Sequence, residues 1–515
     1  MRSYKRRAVL GLVLLLAALP VLIWTFHHRA VARFQEQLLA TGERLKIEEL
    51  LPPWTPPEQN GALLFRQTMG SWGPGVANLL EKNPPVAMQL VAPGKAMVGW
   101  AQPDVRSATT NTWSEVEAVL APYQETLALV RAAAERPIFD FQLDYRQGFG
   151  LVLPHLAPLK RTEQRLATAT LCELHQGEMA AASTNVQVML ALVKATAHER
   201  LAISQLVRIA MAHICLAATW ELLQSPNLTG DQLAALQRDW TELKFLQPAE
   251  ESLTLERAFG LMMLDRMRNS GRQCRQVMSS LGSRGPVTFG YSFGQSADTA
   301  LREIVLGTKE AHWRWFLSYP DQLRTLQGYQ VVLESFRSVR GGQPFAVARS
   351  RQQARLAEMR LQSTNEEFGL HFDASGPELR SLFSQAVVSL GGLLNRVFGA
   401  EAARELTITA VALKRYQLRY GQYPGELSAL VPEFLMALPR DPADGQPLRY
   451  HLKPDATFLL YSVGEDGLDD GGDASQTDKS EGVRWQKGRD LVWPQPATPE
   501  EVRTYQRNKG LKHGR

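Results

Sequence analysis

The chain reads as mainly α-helical: an N-terminal transmembrane helix, a large helical domain and a small C-terminal α+β module. Three observations carry that reading. An uncharged stretch, Ala8–Phe26, follows a cluster of cationic side chains at the start of the chain. Apolar residues then recur at helical spacing from about residue 112 to residue 362. Strand-like runs are concentrated near the C-terminus, at Pro447–Leu452 and Thr457–Ser462.

Composition sets the outer bounds. The 515 residues leave room for several domains of ~100–200 residues each. With 44% hydrophobic and 21% charged residues, the chain has a globular composition rather than a disordered one. The formal net charge of +5 is small for this length, and no Lys/Arg stripe alternates with aromatics, which argues against a nucleic-acid partner. Cys172, Cys215 and Cys274 form no CxxC pair and read as small buried apolar residues.

At the N-terminus, Arg2, Lys5, Arg6 and Arg7 precede Ala8–Phe26, which is long enough to cross the ~30 Å hydrocarbon core as a helix. The charge places residues 1–7 in the cytoplasm and makes residues 8–26 a signal anchor in the inner membrane, with all that follows outside it. Trp24 and Phe26 fall where interfacial aromatics sit. The A-x-A tripeptide at Ala30–Ala32 leaves cleavage as a signal peptide open. Residues 27–61 read as a juxtamembrane helix and a linker, because the prolines of LLPPWTPPEQNG remove backbone donors and fix φ.

Residues 62–394 form the helical extracytoplasmic domain. Its start is broken: residues 83–104 read as loop with one short strand. Thr112-Trp-Ser-Glu115 is a capping box, followed on one helix face by Val116, Val119, Tyr123, Leu127 and Val130, and Pro137 closes the segment. Between residues 154 and 224 the helical pattern is continuous except at Gly177, which suits the turn of an antiparallel pair with Leu171, Val186 and Leu190 packing across it. LCELHQGEMAAA resembles one unit of a tetratricopeptide hairpin, without a 34-residue recurrence, so a helical adaptor stands as an alternative to an irregular helical domain. Further helices are expected at 230–275, 296–318, 319–338 and 344–362.

Among short motifs, GYSFG (290–294) fits the nucleophile elbow G-x-S-x-G with Ser292 at its centre, the basis of an alternative serine-hydrolase reading. That chemistry needs a parallel sheet of strand–helix units, and the preceding residues lack such alternation. His198-Glu199 has no second histidine four residues on, and no P-loop or GxGxxG occurs.

The C-terminal part is the most informative. Residues 400–420 make a helix with Leu406, Ala410, Leu413, Gln417 and Tyr420 on one side; a proline-rich loop, a hairpin by composition and the acidic stretch YSVGEDGLDDGGD (461–473) follow. Tyr416, Gly421, Tyr423, Pro424, Pro439, Asp441, Pro442, Gly445, Pro447, Tyr450, Ser462, Gly464, Asp466, Gly467, Asp490 and Trp493 occur in the order found in the globular domain of the type II secretion major pseudopilin. Residues 395–495 therefore resemble that domain, about 95 of the 515 residues, with 496–515 left as a polar tail. The resemblance implies a calcium ion held by the loop after the second strand. Asp466 is its first ligand and Asp490 a second, while Asp469, Asp470 and Asp473 compete for the remaining places. Calcium takes six to eight oxygens at ~2.3–2.6 Å, and glycines let a short loop curl around it. The chain departs from the family at its N-terminus, where MRSYKRRAVLGL lacks the prepilin-peptidase signal, so assembly into a pseudopilus is not expected. The whole chain also resembles uncharacterised membrane-anchored bacterial proteins. The expected function is structural or interaction-based, not enzymatic, at the cell envelope or beside a secretion apparatus, with the membrane and an unidentified envelope protein as partners.

Overall fold

The structure is a computed structural model that describes residues 21–22, 24–70, 85–106, 110–282, 304, 306–359, 361, 384–476 and 489–513. Most of Ala8–Phe26, and the whole of the GYSFG motif with Ser292, lie outside the described residues.

Residues 24–40 form helix α1. A short helix α2 (Ala62–Thr68) and the strands β1 (Gln89–Ala92), β2 (Lys95–Met97), β3 (Val105–Arg106) and β4 (Thr110–Asn111) lead into the body. Its helices are α3 (Trp113–Leu120), α4 (Gln124–Ala134), α5 (Leu156–Gln176), α6 (Met179–Ala195), α7 (Ala202–Leu223), α8 (Gly230–Glu242) and α9 (Leu246–Asn269). They continue with α10 (Gly271–Gly282), α11 (Ser318–Arg340), α12 (Phe345–Glu358) and the long α13 (Ser384–Tyr420). The strands β5 (Arg449–Leu452), β6 (Phe458–Ser462) and β7 (Leu491–Val492) follow, then β8 (Gln495–Pro496) and α14 (Pro499–His513). The protein is thus mainly helical, with its larger antiparallel sheet, β5-β6-β7, near the C-terminus.

Local chemistry sets the helix ends. Thr112 Oγ1 accepts from the Glu115 N–H at 3.3 Å, and the Glu115 carboxylate accepts from the Thr112 N–H at 2.9 Å, which is the expected capping box. Gly177 closes α5 in the left-handed region at φ 83°, where a Cβ would be strained. Leu171, Val186 and Leu190 are all buried. Leu171, however, packs with Trp113, Val116 and Leu120 on the α3 side, while Val186 and Leu190 join the main core. The expected helix over 230–275 is broken at residues 243–245, because Glu401 on α13 accepts from the Phe245 and Leu246 N–H groups at 2.9 and 3.2 Å and so caps α9 from afar. The two helices expected over 296–338 run together from residue 306 through a π-turn at Trp313–Leu317. Pro320 has no N–H to give the Phe316 carbonyl, and the wider turn falls where that bond is missing.

One apolar core runs from Phe65 on α2 through Trp220 and Trp240 to Leu406, Leu460 and Trp493. The helix α13 lies against α7, α8 and α11, so the sheet is built onto the body through a shared helix. Trp220 Nε1 donates to the Pro494 carbonyl at 2.8 Å, and β8 pairs in parallel with β2. Among the described residues, Ala202–Leu223 is the one helix long and apolar enough to cross a membrane, and most of it is buried among the other helices, as a core helix would be. All three cysteines are free and buried.

Three helices run the same way. Tyr319 at the start of α11 touches Trp24 and His28 of α1, with ring centroids 5.5 and 5.1 Å away, and Arg337 near its end reaches Glu43. Thus α1 and α11 lie parallel. The tight turn at 341–344 sends α12 back along α11; Phe345 stacks on Phe398 at 4.1 Å and Gln352 Nε2 donates to the Gly391 carbonyl at 3.3 Å, which makes α13 parallel to α11. The C-terminal sheet therefore sits at the end of the molecule away from Trp24.

Candidate functional site

Two buried carboxylates organise the acidic loop. Asp441, in the turn before β5, accepts from Ser462 Oγ at 2.7 Å, from the Ala443 N–H at 2.9 Å and from the Val463 N–H at 2.9 Å. Burial pushes its carboxyl above the usual range, and those donors oppose the shift. Asp490, just before β7, accepts from the Gly472 N–H at 2.7 Å, the Asp473 N–H at 3.2 Å and the Asp470 N–H at 3.4 Å. It too is raised by burial, against the same amides.

The loop closes by glycine. Gly464, Gly467, Gly471 and Gly472 all have positive φ. At Gly464 a Cβ would lie 2.5 Å from the Arg489 carbonyl, so loop and returning strand approach as closely as backbone allows.

The five carboxylates considered for calcium are brought onto one loop and its returning strand, and Asp466, Asp469, Asp473 and Asp490 each accept from a protein donor. Asp466 caps the Leu468 N–H at 3.1 Å. Asp469 accepts from Tyr461 Oη at 2.9 Å, the Gly471 N–H at 3.0 Å and Arg449 Nε at 3.3 Å; the Gly471 amide leads the contacts that hold its carboxyl below the usual range. Asp473 is likewise held low, by the Ser475 N–H and Oγ, both at 2.8 Å. Asp490 serves the loop amides. Arg489 lies 3.6 Å from Asp470 and 3.7 Å from Asp473, while Arg349 on α12 lies 3.7 Å from Glu465. Among the described residues no three His, Cys, Asp or Glu side chains converge as a metal site. Fitting calcium into this arrangement requires oxygens where N–H groups and guanidinium groups now point.

Arg449, Arg489, Arg349 and Asp441 were not among the sequence-derived site residues. Asp441 had a signal, the Asp-Pro dipeptide quoted in the resemblance; the arginines had none, because their roles depend on the register of β5 and the placement of α12.

Two other places combine polar chemistry with burial. His155 Nε2 lies 2.8 Å from one Glu199 oxygen and Ser204 Oγ donates to the other. With the carboxylate in the middle, the imidazole does not reach the serine, so this trio ties the turn before α5 to the start of α7 rather than activating a nucleophile. A cleft of about 350 Å³ has Phe345, Leu394 and Phe398 in its wall and Lys244, Arg340 and Arg404 around it. Arg404 is answered there by Glu401 and Glu405, and Arg340 by Glu250.

No family model, no curated protein and no solved structure matches the chain.

Proposed function

We propose that this chain is a membrane-anchored extracytoplasmic protein with a structural or interaction role, in which the body is fixed to its anchor and carries a pseudopilin-like module at the far end. The observation that carries it is Glu43. Just after α1, this buried carboxylate accepts from Arg257 Nη2 at 2.7 Å and from Arg337, so the helix continuing Ala8–Phe26 is clamped to α9 and α11 instead of hanging on a free tether. Burial alone would raise Glu43; the hydrogen bonds from Arg337 and Arg257 outweigh it and hold the carboxyl at about 2. Added protease should digest the chain in spheroplasts and spare it in intact cells; a chain protected in spheroplasts contradicts the reading.

What supports the pseudopilin-like reading is the order of a helix, a proline-rich turn and the sheet β5-β6-β7, with Tyr423 and Tyr450 against Phe458 beneath the turn. Calcium is a separate proposal about the same loop, and the amide- and arginine-held loop is its competitor. Because α13 is shared with the body, the test is a thermal melt of the full chain in calcium and in chelator. The competitor, which the contacts favour, gives equal melting temperatures. Calcium at a hundred times its Kd would add about 2.7 kcal/mol, and a rise lost in Asp466→Ala would establish the ion.

A further inference from the structure

We infer that the cleft between α9, α11, α12 and α13 is a binding site for a small amphipathic monocarboxylate of the medium-chain fatty acid class. Its carboxylate lies at Lys244 and Arg404, and its chain lies over Phe345, Phe398 and Leu394. The inference is independent of the anchor reading.

The floor of the cleft is one face of α13. Leu394, Val397, Phe398, Glu401 and Arg404 follow at helical spacing and all line it, over about 15 Å at ~1.5 Å per residue. Along that face the chemistry changes once. Leu394, Val397 and Phe398 are apolar and buried, and Phe345 stacks on Phe398 at 4.1 Å. Pro442 closes this apolar end, its carbonyl accepting from the Phe345 N–H at 3.1 Å, so an occupant touches the body and the C-terminal module together. Glu401 and Arg404 carry charge, and Glu401 holds the residues before α9 beside them through the Phe245 and Leu246 N–H groups. Lys244 and Gln247 therefore stand at the charged end. The volume of about 350 Å³ falls at the low end of the ~300–1,000 Å³ usual for small-molecule pockets.

The charges at that end do not cancel. Arg404 is only 8% exposed; its Nε donates to Glu401 at 2.8 Å and its Nη2 to Glu405 at 2.6 Å, while its Nη1 has no partner among the described residues. Lys244 Nζ donates to the Thr241 carbonyl at 3.2 Å and has no carboxylate within reach among the described residues. Behind it, Arg208 on α7 is buried and donates to the Val193 and Lys244 carbonyls at 2.6 and 2.8 Å, again with no ion-pair partner among the described residues. The N-terminus of α9 adds the positive end of a long helix. Three cations thus face two carboxylates, Glu401 and Glu405, and one further negative charge balances them. A dianion would leave its second charge against Glu401. At the mouth, Arg340 is already answered by Glu250 at 3.0 Å.

The experiment is calorimetric titration of the purified full chain in detergent, with micelles alone subtracted, using octanoate and its neutral analogue octanamide. It is repeated with Lys244→Gln, Lys244→Arg and Val339→Trp; Lys244 is exposed and Val339 is a partly buried wall residue, where an indole would fill the cleft. We expect saturable one-to-one binding of octanoate, about tenfold weaker for octanamide and for Lys244→Gln, kept in Lys244→Arg and lost in Val339→Trp. Absence of saturable octanoate binding overturns the inference. Equal affinity for octanamide overturns the anionic class, and octanoate binding unchanged in both Lys244→Gln and Val339→Trp places the ligand elsewhere and overturns the site. Retention in Lys244→Arg separates loss of charge from loss of fold.

Discussion

At the scale of single residues, the C-terminal motif is a set of backbone requirements. Gly464 combines φ +75° with a carbonyl 2.5 Å from where a Cβ would stand. Gly464→Ala should therefore cost about 1–3 kcal/mol in a denaturant melt, as left-handed strain and displacement of the strand before β7 add together; a loss below about 0.5 kcal/mol would show that the loop relaxes freely. A second residue-scale expectation concerns pH. Glu221 on α7 is buried and accepts from the Met88 and Gly99 N–H groups at 2.8 and 3.0 Å; burial pushes its carboxyl up to about 7 despite those donors. Glu256 is raised to about 7 by burial as well. A carboxyl raised on folding binds more protons in the folded chain, so its contribution favours folding at low pH and is lost as pH rises through the folded value. The chain should be less stable at about pH 8 than at about pH 6, and Glu221→Gln should flatten that slope. The same stability at both pH values in the parent would contradict it. Residues such as Asp466 could be picked from the sequence because side-chain type was the signal. Glu221 could not, because its importance comes from burial and from amides over 120 residues away in the chain.

At the scale of elements, what was legible is what local chemistry decides. The Thr112 cap, the Gly177 turn and the hairpin of β5 and β6 each depend on a few neighbouring residues, and each is found. The break between α8 and α9 was not legible, since the group that caps α9 belongs to Glu401, over 150 residues away. The third strand beside β1 and β2 comes from residues 495–496, which no local pattern announces. The clamp on α1 is of the same kind. Arg257 is fully buried and faces Glu43 from the helix α9. Removing one partner of a buried pair leaves the other charge unmatched, so Glu43→Ala should cost about 3–5 kcal/mol in chemical denaturation. It should also raise proteolysis between residues 40 and 62, where α1 joins the body. An unchanged midpoint with an unchanged digest would mean that α1 is held by the burial of Val31 and Leu38 and by the ring contacts of Trp24 and His28 with Tyr319, not by Glu43.

At the scale of the whole molecule, α1, α11 and α13 run parallel from an aromatic, cationic end to an end that carries the acidic loop. The helical class was readable from periodicity, and the small sheet from two strand-like runs. The fusion of the two was not, because a helix that serves both body and sheet has the same sequence pattern as one that serves either. On the proposed function, this polarity would hold the acidic loop at the end of the body away from the anchor. Everything in that account depends on which side of the membrane the body occupies. The direct measurement is the activity of alkaline phosphatase fused after Arg515 in the full chain, since the enzyme folds into an active form only outside the cytoplasm. The account predicts an active fusion, and inactive phosphatase at a matched level of fusion protein would contradict it.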